Sequence, residues 1–160
     1  MKKALNAWTL DGALDMEASF KAVADAGFDA IELNVDAPGA AHGLSLDTTK
    51  ADYAAIRALS EKYHLPVASI STSLWGGRMG IAANHKDAET LLWKQIEAAK
   101  ELGADGILTV PGGMGGGVTI ADVRRDSVAF LKAMRADIEK EGIFVGLENV
   151  WNGFFLSPYD

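Results

Sequence analysis

The stretch Ile143-Phe144-Val145-Gly146-Leu147-Glu148, continued by Asn149-Val150-Trp151-Asn152, is an apolar run that closes on an acid. A short uncharged run of this kind fits a parallel strand buried on both faces. Read so, it delivers one carboxylate to the carboxyl end of the strand, where parallel β/α chains place their chemistry.

Working outward, four more runs of the same type precede it: Lys3–Thr9, Phe28–Val35, Val67–Ser73 and Asp105–Val110, with Ile143–Glu148 as the fifth. Between them, apolar residues recur at helical spacing: Met16, Phe20, Val23 and Ala24; Tyr53, Ile56, Leu59 and Tyr63; Leu91, Leu92, Ile96, Ala99 and Leu102; Ile120, Val123, Phe130, Met134 and Ile138. Asp15 stands at the entry of the first helix. Gly27, Gly103 and Gly142 each sit just past a helical segment, where a left-handed residue ends it. The segments Ala26-Gly27-Phe28-Asp29-Ala30-Ile31 and Leu102-Gly103-Ala104-Asp105-Gly106-Ile107 look like two copies of one helix-to-strand connection.

Alternating strands and helices mean a parallel sheet, doubly wound or rolled into a barrel. Side-chain parity favours the barrel. Leu5, Ala7, Ile31, Leu33, Val145 and Leu147 fall on one parity, while Asn6, Trp8, Glu32, Asn34, Ser69, Ser71, Ser73, Thr109 and Glu148 are assigned to the other. Polar groups gathered on one face, toward the strand ends, suit a barrel mouth with a polar pocket. The expected fold is α/β, a parallel β/α repeat forming the N-terminal five-strand portion of a TIM (β/α)8 barrel. Residues 1–160 read as a single, incomplete domain of that kind.

The 160 residues carry a net charge of −7, with their 15 Lys and Arg residues scattered, which disfavours nucleic acid as a partner. There is no cysteine, so no disulfide and no thiolate ligand. No apolar stretch approaches the roughly 20 residues that span a bilayer, and Asn6, Thr9 and Asp11 interrupt any signal-peptide core behind Lys2-Lys3. No membrane association is expected, and the chain reads as cytoplasmic.

Glu148 is the first candidate for chemistry, since an acid ending a buried strand must be hydrogen-bonded, paired or bound to a cation. Trp151 supplies an aromatic wall or fills the core; Asn152 offers an amide donor and acceptor suited to a polyol. Glu32 either holds a substrate hydroxyl or accepts bonds from Asn6 or a third-strand serine. Trp8 either stacks on a sugar face or plugs the barrel. The glycine-rich segment Pro111-Gly112-Gly113-Met114-Gly115-Gly116-Gly117 lacks the ending of a P-loop and reads as a loop over the mouth. Arg78 binds a phosphate or is merely solvated. His42, His64 and His85 show no zinc spacing and are expected at the surface.

Ile31-Glu32-Leu33, Leu108-Thr109-Val110-Pro111-Gly112 and Leu147-Glu148-Asn149-Val150-Trp151-Asn152, followed by Phe155-Leu156-Ser157-Pro158, together resemble the xylose isomerase-like TIM-barrel superfamily of sugar isomerases and epimerases. The resemblance covers essentially the whole chain. It implies carbohydrate metabolism through an eight-stranded barrel that binds a divalent metal, Mn²⁺, Mg²⁺, Co²⁺ or Zn²⁺, with its first ligand a glutamate ending strand five. Glu148 takes that role by resemblance, and in the ketose 3-epimerase branch the same residue moves the proton next to the carbonyl. On their own chemistry, and not from the resemblance, Trp8, Glu32, Trp151 and Asn152 are the candidates for binding a sugar or sugar phosphate.

The remaining expected ligands, an Asp, a His and a Glu, belong to strands six to eight, which these 160 residues do not contain. Two departures matter. A glutamate expected about six residues past the ligand is replaced by Phe154, leaving isomerase, epimerase and dehydratase open; the zinc histidines of the related DNA-repair enzymes are missing from strands three and four. The chain therefore reads as a fragment of a metal-dependent sugar isomerase or epimerase, inactive alone and binding no metal tightly. Its open edges are expected to self-associate or to accept a complementing C-terminal half. The alternatives are a non-catalytic half-barrel that binds a sugar or a partner protein, and a keto-sugar or inosose-type dehydratase of the same superfamily.

Overall fold

A computed structural model describes residues 1–39, 42–112, 117–150, 154 and 157. Its strands are β1 (Ala4–Asn6), β2 (Ala30–Asn34), β3 (Val67–Ser71), β4 (Gly106–Thr109) and β5 (Phe144–Leu147). The α-helices are α1 (Met16–Asp25), α2 (Lys50–Tyr63), α3 (His85–Leu102) and α4 (Ile120–Glu141), with short 3₁₀ turns at Ala7–Thr9 and Ala82–Asn84. The predicted segments hold in number, type and order.

All neighbouring strands pair in parallel, in the order β1-β2-β3-β4-β5. A doubly wound sheet reverses its strand order at a switch point; one that advances without reversal keeps its helices on one side and curls toward closure. The chain is thus the N-terminal half of a β/α barrel in form.

Register decides which residues meet the helices. Leu33, Ile70, Ile107 and Val145 lie side by side on the helix-facing parity. Ile31, Leu33 and Ile70 are fully enclosed there with Phe20, Val23 and Tyr53, joined by Leu92 and Ile96 of α3. A bulge sets β3 straight: Ile31 pairs with Val67 but Glu32 with Ser69, so the strand gains a residue. Val67 and Ile70 can then both face the helices, while Ser69 and Ser71 join Glu32 and Asn34 on the other side.

The same register corrects one expectation. Thr109 pairs with Leu147 and shares the parity of Ile107, so it faces the helices and not the mouth. It is fully buried, and its hydroxyl donates to the Gly146 carbonyl at 3.0 Å, which satisfies it without any ligand.

Helix ends follow local chemistry. Asp15 accepts from the Ala18 amide at 2.8 Å, and Gly27, Gly103 and Gly142 take φ of 75°, 73° and 70° as anticipated. α2 ends instead on His64, at φ 50°, a left-handed residue without the freedom of glycine. α2 and α4 both open on reciprocal capping boxes, Thr49 with Asp52 and Thr119 with Asp122.

Bonds from Thr49, backbone first, hold the Asp52 carboxyl below the usual carboxylate range. For Asp122 the Thr119 hydroxyl acts first and Arg125 second, in the same direction. A depressed folded pKa adds stability that is present above the unfolded value, near 4, and fades as pH falls through the folded value. Thr49→Ala is expected to cost about 1 kcal/mol at pH 7. Asp52→Asn should also be less stable than the parent there, with the gap narrowing toward pH 3 in denaturant titrations. A gap that widens on acidification contradicts the capping account.

Candidate functional site

The inward parity of β1, β2 and β3 builds one hydrogen-bonded polar cluster. Asn6 Nδ2 donates to Glu32 Oε1 at 2.5 Å and to Ser71 Oγ at 3.2 Å; the Ser69 hydroxyl donates to Glu32 Oε2. Asn34 Nδ2 donates to Asn6 Oδ1 at 3.3 Å and to Ser71 Oγ. Both carboxylate oxygens of Glu32 are therefore engaged by residues of the sheet itself. Of its two readings, the structure supports the one in which Asn6 and a β3 serine satisfy the acid.

One atom of the cluster is left over. Asn34 is 1% exposed, and its Oδ1 has no hydrogen-bond partner. A buried acceptor without a protein donor costs free energy, so this atom has the capacity to accept one further N–H or O–H. Glu32→Ala leaves the donors of Asn6 and Ser69 unpaired and should lower stability by about 1–3 kcal/mol. Glu32→Gln, which keeps one acceptor, should lose less. Chemical denaturation separates these outcomes from a purely ligand-binding Glu32, whose removal would leave stability unchanged.

Above the cluster lies the rim. Trp8, in the 3₁₀ turn after β1, donates its indole Nε1 hydrogen to Asp36 Oδ2 at 2.6 Å. Asp36 Oδ1 accepts from the backbone amide and hydroxyl of Ser73 at 3.1 and 2.6 Å. In this five-strand sheet Trp8 is 48% exposed. Sequence reasoning passed over Asp36, although counting the inward parity past β2, through 32 and 34, lands on it. It also missed Gln95, a polar residue inside the apolar spacing of α3. The Gln95 side chain is fully enclosed and donates to the carbonyls of Ile70 and Leu108, both at 3.0 Å. There it spans the opening beyond a β3–β4 ladder only two pairs long.

Glu148 follows β5 directly, and its amide extends the ladder by donating to the Thr109 carbonyl at 2.9 Å. Its parity is that of Gly146, which pairs with Leu108 on the side of the polar cluster. The side chain is exposed, and β3 and β4 separate it from Glu32 in strand order. Trp151 and Asn152 lie outside the described residues, as do Gly113 to Gly116 of the glycine-rich loop. The loop's first glycine, Gly112, meets Phe154.

Other loop candidates prove structural. Arg78 is half-buried and donates from its guanidinium to the Leu74 carbonyl, so it is not merely solvated. His64 is exposed, but two histidines expected at the surface are half-buried. His42 pairs through Nδ1 with the Leu14 carbonyl, and His85 through Nε2 with that of Met79, both at 3.1 Å. The His85 ring also packs 5.3 Å from Phe130.

A metal needs more than this face offers. Among the described residues no three of His, Asp and Glu come together to hold an ion. Glu32 is taken by Asn6 and Ser69, and Asp36 by Trp8 and Ser73. Glu148 alone does not replace the water shell of a divalent cation, which takes several oxygen or nitrogen ligands. The described residues do not fit a resident metal by themselves.

Sequential parallel strands with a polar inward face and an acid at the fifth strand's end define a β/α-barrel chain with an open mouth. More narrowly, the chain belongs to the xylose isomerase-like TIM barrel family, whose sequence profile matches residues 20–159. No curated protein sequence matches it.

Among solved structures it is similar to the E. coli 3-keto-D-glucoside 4-epimerase in its apo form, at 17% identity and a TM-score of 0.71, over 95% of this chain and 57% of that one. It is equally like an AP endonuclease of family 2 from Brucella melitensis, at 16% identity and a TM-score of 0.74, over 97% and 59% of the two chains. The IolI protein with a bound zinc atom matches at 17% identity and 0.71, over 92% and 51%. At these identities the likeness establishes the fold alone. The chain spans about half the length of the structures it matches. Among the described residues no helix is long and apolar enough to cross a membrane.

Proposed function

We propose that this chain is the N-terminal portion of a sugar isomerase or epimerase that moves a proton on a carbon next to a carbonyl, with Glu148 as the proton-transferring carboxylate. The observation that carries this reading is positional. Glu148 directly follows β5 on the same parity as the Asn6–Glu32–Asn34–Ser71 cluster, and the residue is exposed.

The chemistry follows from the groups present. A carboxylate at the mouth abstracts the α-proton and returns it to either face of the carbon or to its neighbour. Trp8 offers a flat apolar face at the rim, and Trp151 and Asn152, outside the described residues, are proposed for sugar binding on their chemistry alone. Glu32 acts indirectly, by orienting Asn6 at the floor of that site. A divalent cation, were the completed barrel to hold one, would supply Lewis-acid stabilisation of charge developing on the carbonyl oxygen. In this reading Glu148 contributes one of its ligands, and the others come from strands six to eight.

Completion of the barrel is part of the proposal. Phe144 and Leu147 of β5 are 77% and 45% exposed. Val128, Leu131 and Ile138 line a shallow groove of ≈ 370 Å³ on the outer side of α4. A sixth strand and fifth helix would seat on these surfaces, which explains why they are apolar. A half-barrel in solution would instead bury them by self-association.

The test is to assay the isolated chain, and then the chain mixed with a polypeptide supplying three further β/α units, for metal content and for turnover of keto and aldo sugars. Turnover in the mixture alone, with products of unchanged mass, supports the proposal. Loss of water from the product would assign a dehydratase. Sugar binding without turnover in the completed barrel would assign a non-catalytic binder, and cleavage of abasic DNA would overturn the sugar reading altogether.

A further inference from the structure

We infer that Asp36 is a positioning residue that locks Trp8 at the rim as a stacking platform for an uncharged, hydroxyl-bearing carbon skeleton. The inference rests on the sugar reading above and narrows it, because it assigns the unphosphorylated end of the substrate to this side of the mouth.

Two tryptophans of the chain are opposites. Trp75 is 1% exposed and packs edge-on to Phe130 at 6.4 Å, while its indole Nε1 has no partner. It is a core residue, kept for its apolar area. Trp8 is 48% exposed, yet its Nε1 hydrogen is bound to a carboxylate at 2.6 Å and its backbone amide to Asn6 Oδ1 at 2.8 Å. About half of its surface stays open while its ring is held at the indole nitrogen and its backbone at the amide. That is the arrangement of a preorganised contact surface, which binds without the entropic cost of ordering a mobile ring.

Asp36 does the fixing. One oxygen takes the indole, and the other takes the amide and hydroxyl of Ser73. A single carboxylate thereby ties together the loops that follow β1, β2 and β3. These are charge-assisted bonds, stronger than neutral ones.

The same carboxylate selects what can approach. An indole whose N–H faces an anion is electron-rich across its face, which suits the weakly positive C–H surface of a sugar. A phosphate beside that ring would meet both the quadrupole and the charge of Asp36.

The test uses the ¹⁵N-labelled full chain, with the Trp8 indole resonance assigned by its loss in Trp8→Phe. In the parent the Trp8 indole hydrogen should exchange with solvent roughly tenfold more slowly than in Asp36→Ala, with Asp36→Asn in between because its amide oxygen still accepts. D-fructose should shift the Trp8 indole signal, and its apparent affinity should fall about tenfold in Asp36→Ala while the core amides stay in place. D-fructose 6-phosphate should shift it less.

An unprotected indole hydrogen in the parent chain overturns the clamp without any variant having to fold. A phosphorylated sugar or tetramethylammonium that binds at Trp8 better than fructose overturns the selectivity. Fructose that moves the Glu148 amide but not Trp8 refutes the platform and spares the parent reading; fructose that moves neither refutes the platform, and the parent reading is then decided by turnover in the completed barrel.

Discussion

In a completed barrel, Glu148→Gln is expected to lower turnover by about 10²–10⁴-fold, the range that a positioned proton-transfer group contributes. The substitution keeps the shape and much of the hydrogen bonding, so the backbone bond from residue 148 to Thr109 and the β4–β5 pairing should survive. Since the side chain is exposed, stability should change by no more than about 0.5 kcal/mol. A large kinetic loss with unchanged stability isolates the carboxylate as chemistry. Full activity in Glu148→Gln would remove it from the mechanism, and a matching loss of stability would make it a structural residue.

The second large effect concerns the loop after β4. Gly112 holds φ at 85°, and a Cβ built there would stand 2.2 Å from Cδ1 of Phe154 and 2.9 Å from its Cβ. Gly112→Ala therefore combines left-handed backbone strain of about 1–2 kcal/mol with an overpacking cost of about 1–3 kcal/mol. A total loss of roughly 2–5 kcal/mol is expected from these two sources. They can be separated. Phe154→Ala removes the ring contacts but leaves the backbone strain and the 2.9 Å approach of Cβ, so Gly112→Ala should cost less in the Phe154→Ala background, by the ring's share of the overpacking, in a double-mutant cycle. Equal costs in both backgrounds would show that Phe154 does not rest on Gly112 in solution.

The contact has a functional side. Phe154 stands where the ketose 3-epimerase pattern leads one to expect a glutamate near the substrate carbonyl, and it lies against a glycine of the loop after β4. An aromatic ring there supplies packing in place of a charge. This is a physical reason to keep the substrate assignment at the level of sugars and not of one ketose.

The elements were legible in the sequence because each obeys a local rule. Ile31, Leu33 and Ile70 announce strands by their run and parity, and Gly27, Gly103 and Gly142 mark helix ends by the one conformation they tolerate. Thr109 was misplaced because parity within a strand is local, whereas its register against β3 is set by pairing that no single segment contains. The bulge between Val67 and Ser69 shows the same limit: one extra residue in β3 brings both Val67 and Ile70 to the helices.

The candidate site was legible in part. The Glu32 partnership with Asn6 and a β3 serine follows from inward parity on three neighbouring strands, and it is what the structure holds. Asp36 was harder, because it lies beyond β2 in a loop and acts on Trp8, 28 positions away. Gln95 hid for another reason. Its amide sits among apolar helix positions and serves two strand carbonyls that become neighbours only after folding.

The pH behaviour of the surface adds a background to any assay. Glu17 is held below the usual carboxylate range by hydrogen bonds from Lys62 and Tyr63, and Glu141 by Lys100. Glu17 is exposed and Glu141 half-buried beside solvent, so their contribution is small and screened by salt. Its sign is that of the caps: present at neutral pH and lost on acidification. Kinetic pH profiles of a completed barrel are best read above pH 5, where these surface pairs remain ionised.

The central claim is that Glu148 transfers a proton at a carbon next to a carbonyl, and solvent labelling tests it most directly. A completed barrel turning over a ketose in D₂O should place one deuteron on the carbon beside the carbonyl, and its Glu148→Gln counterpart should place none above background. Equal labelling by both proteins, or turnover without any deuterium in the product, would contradict the account.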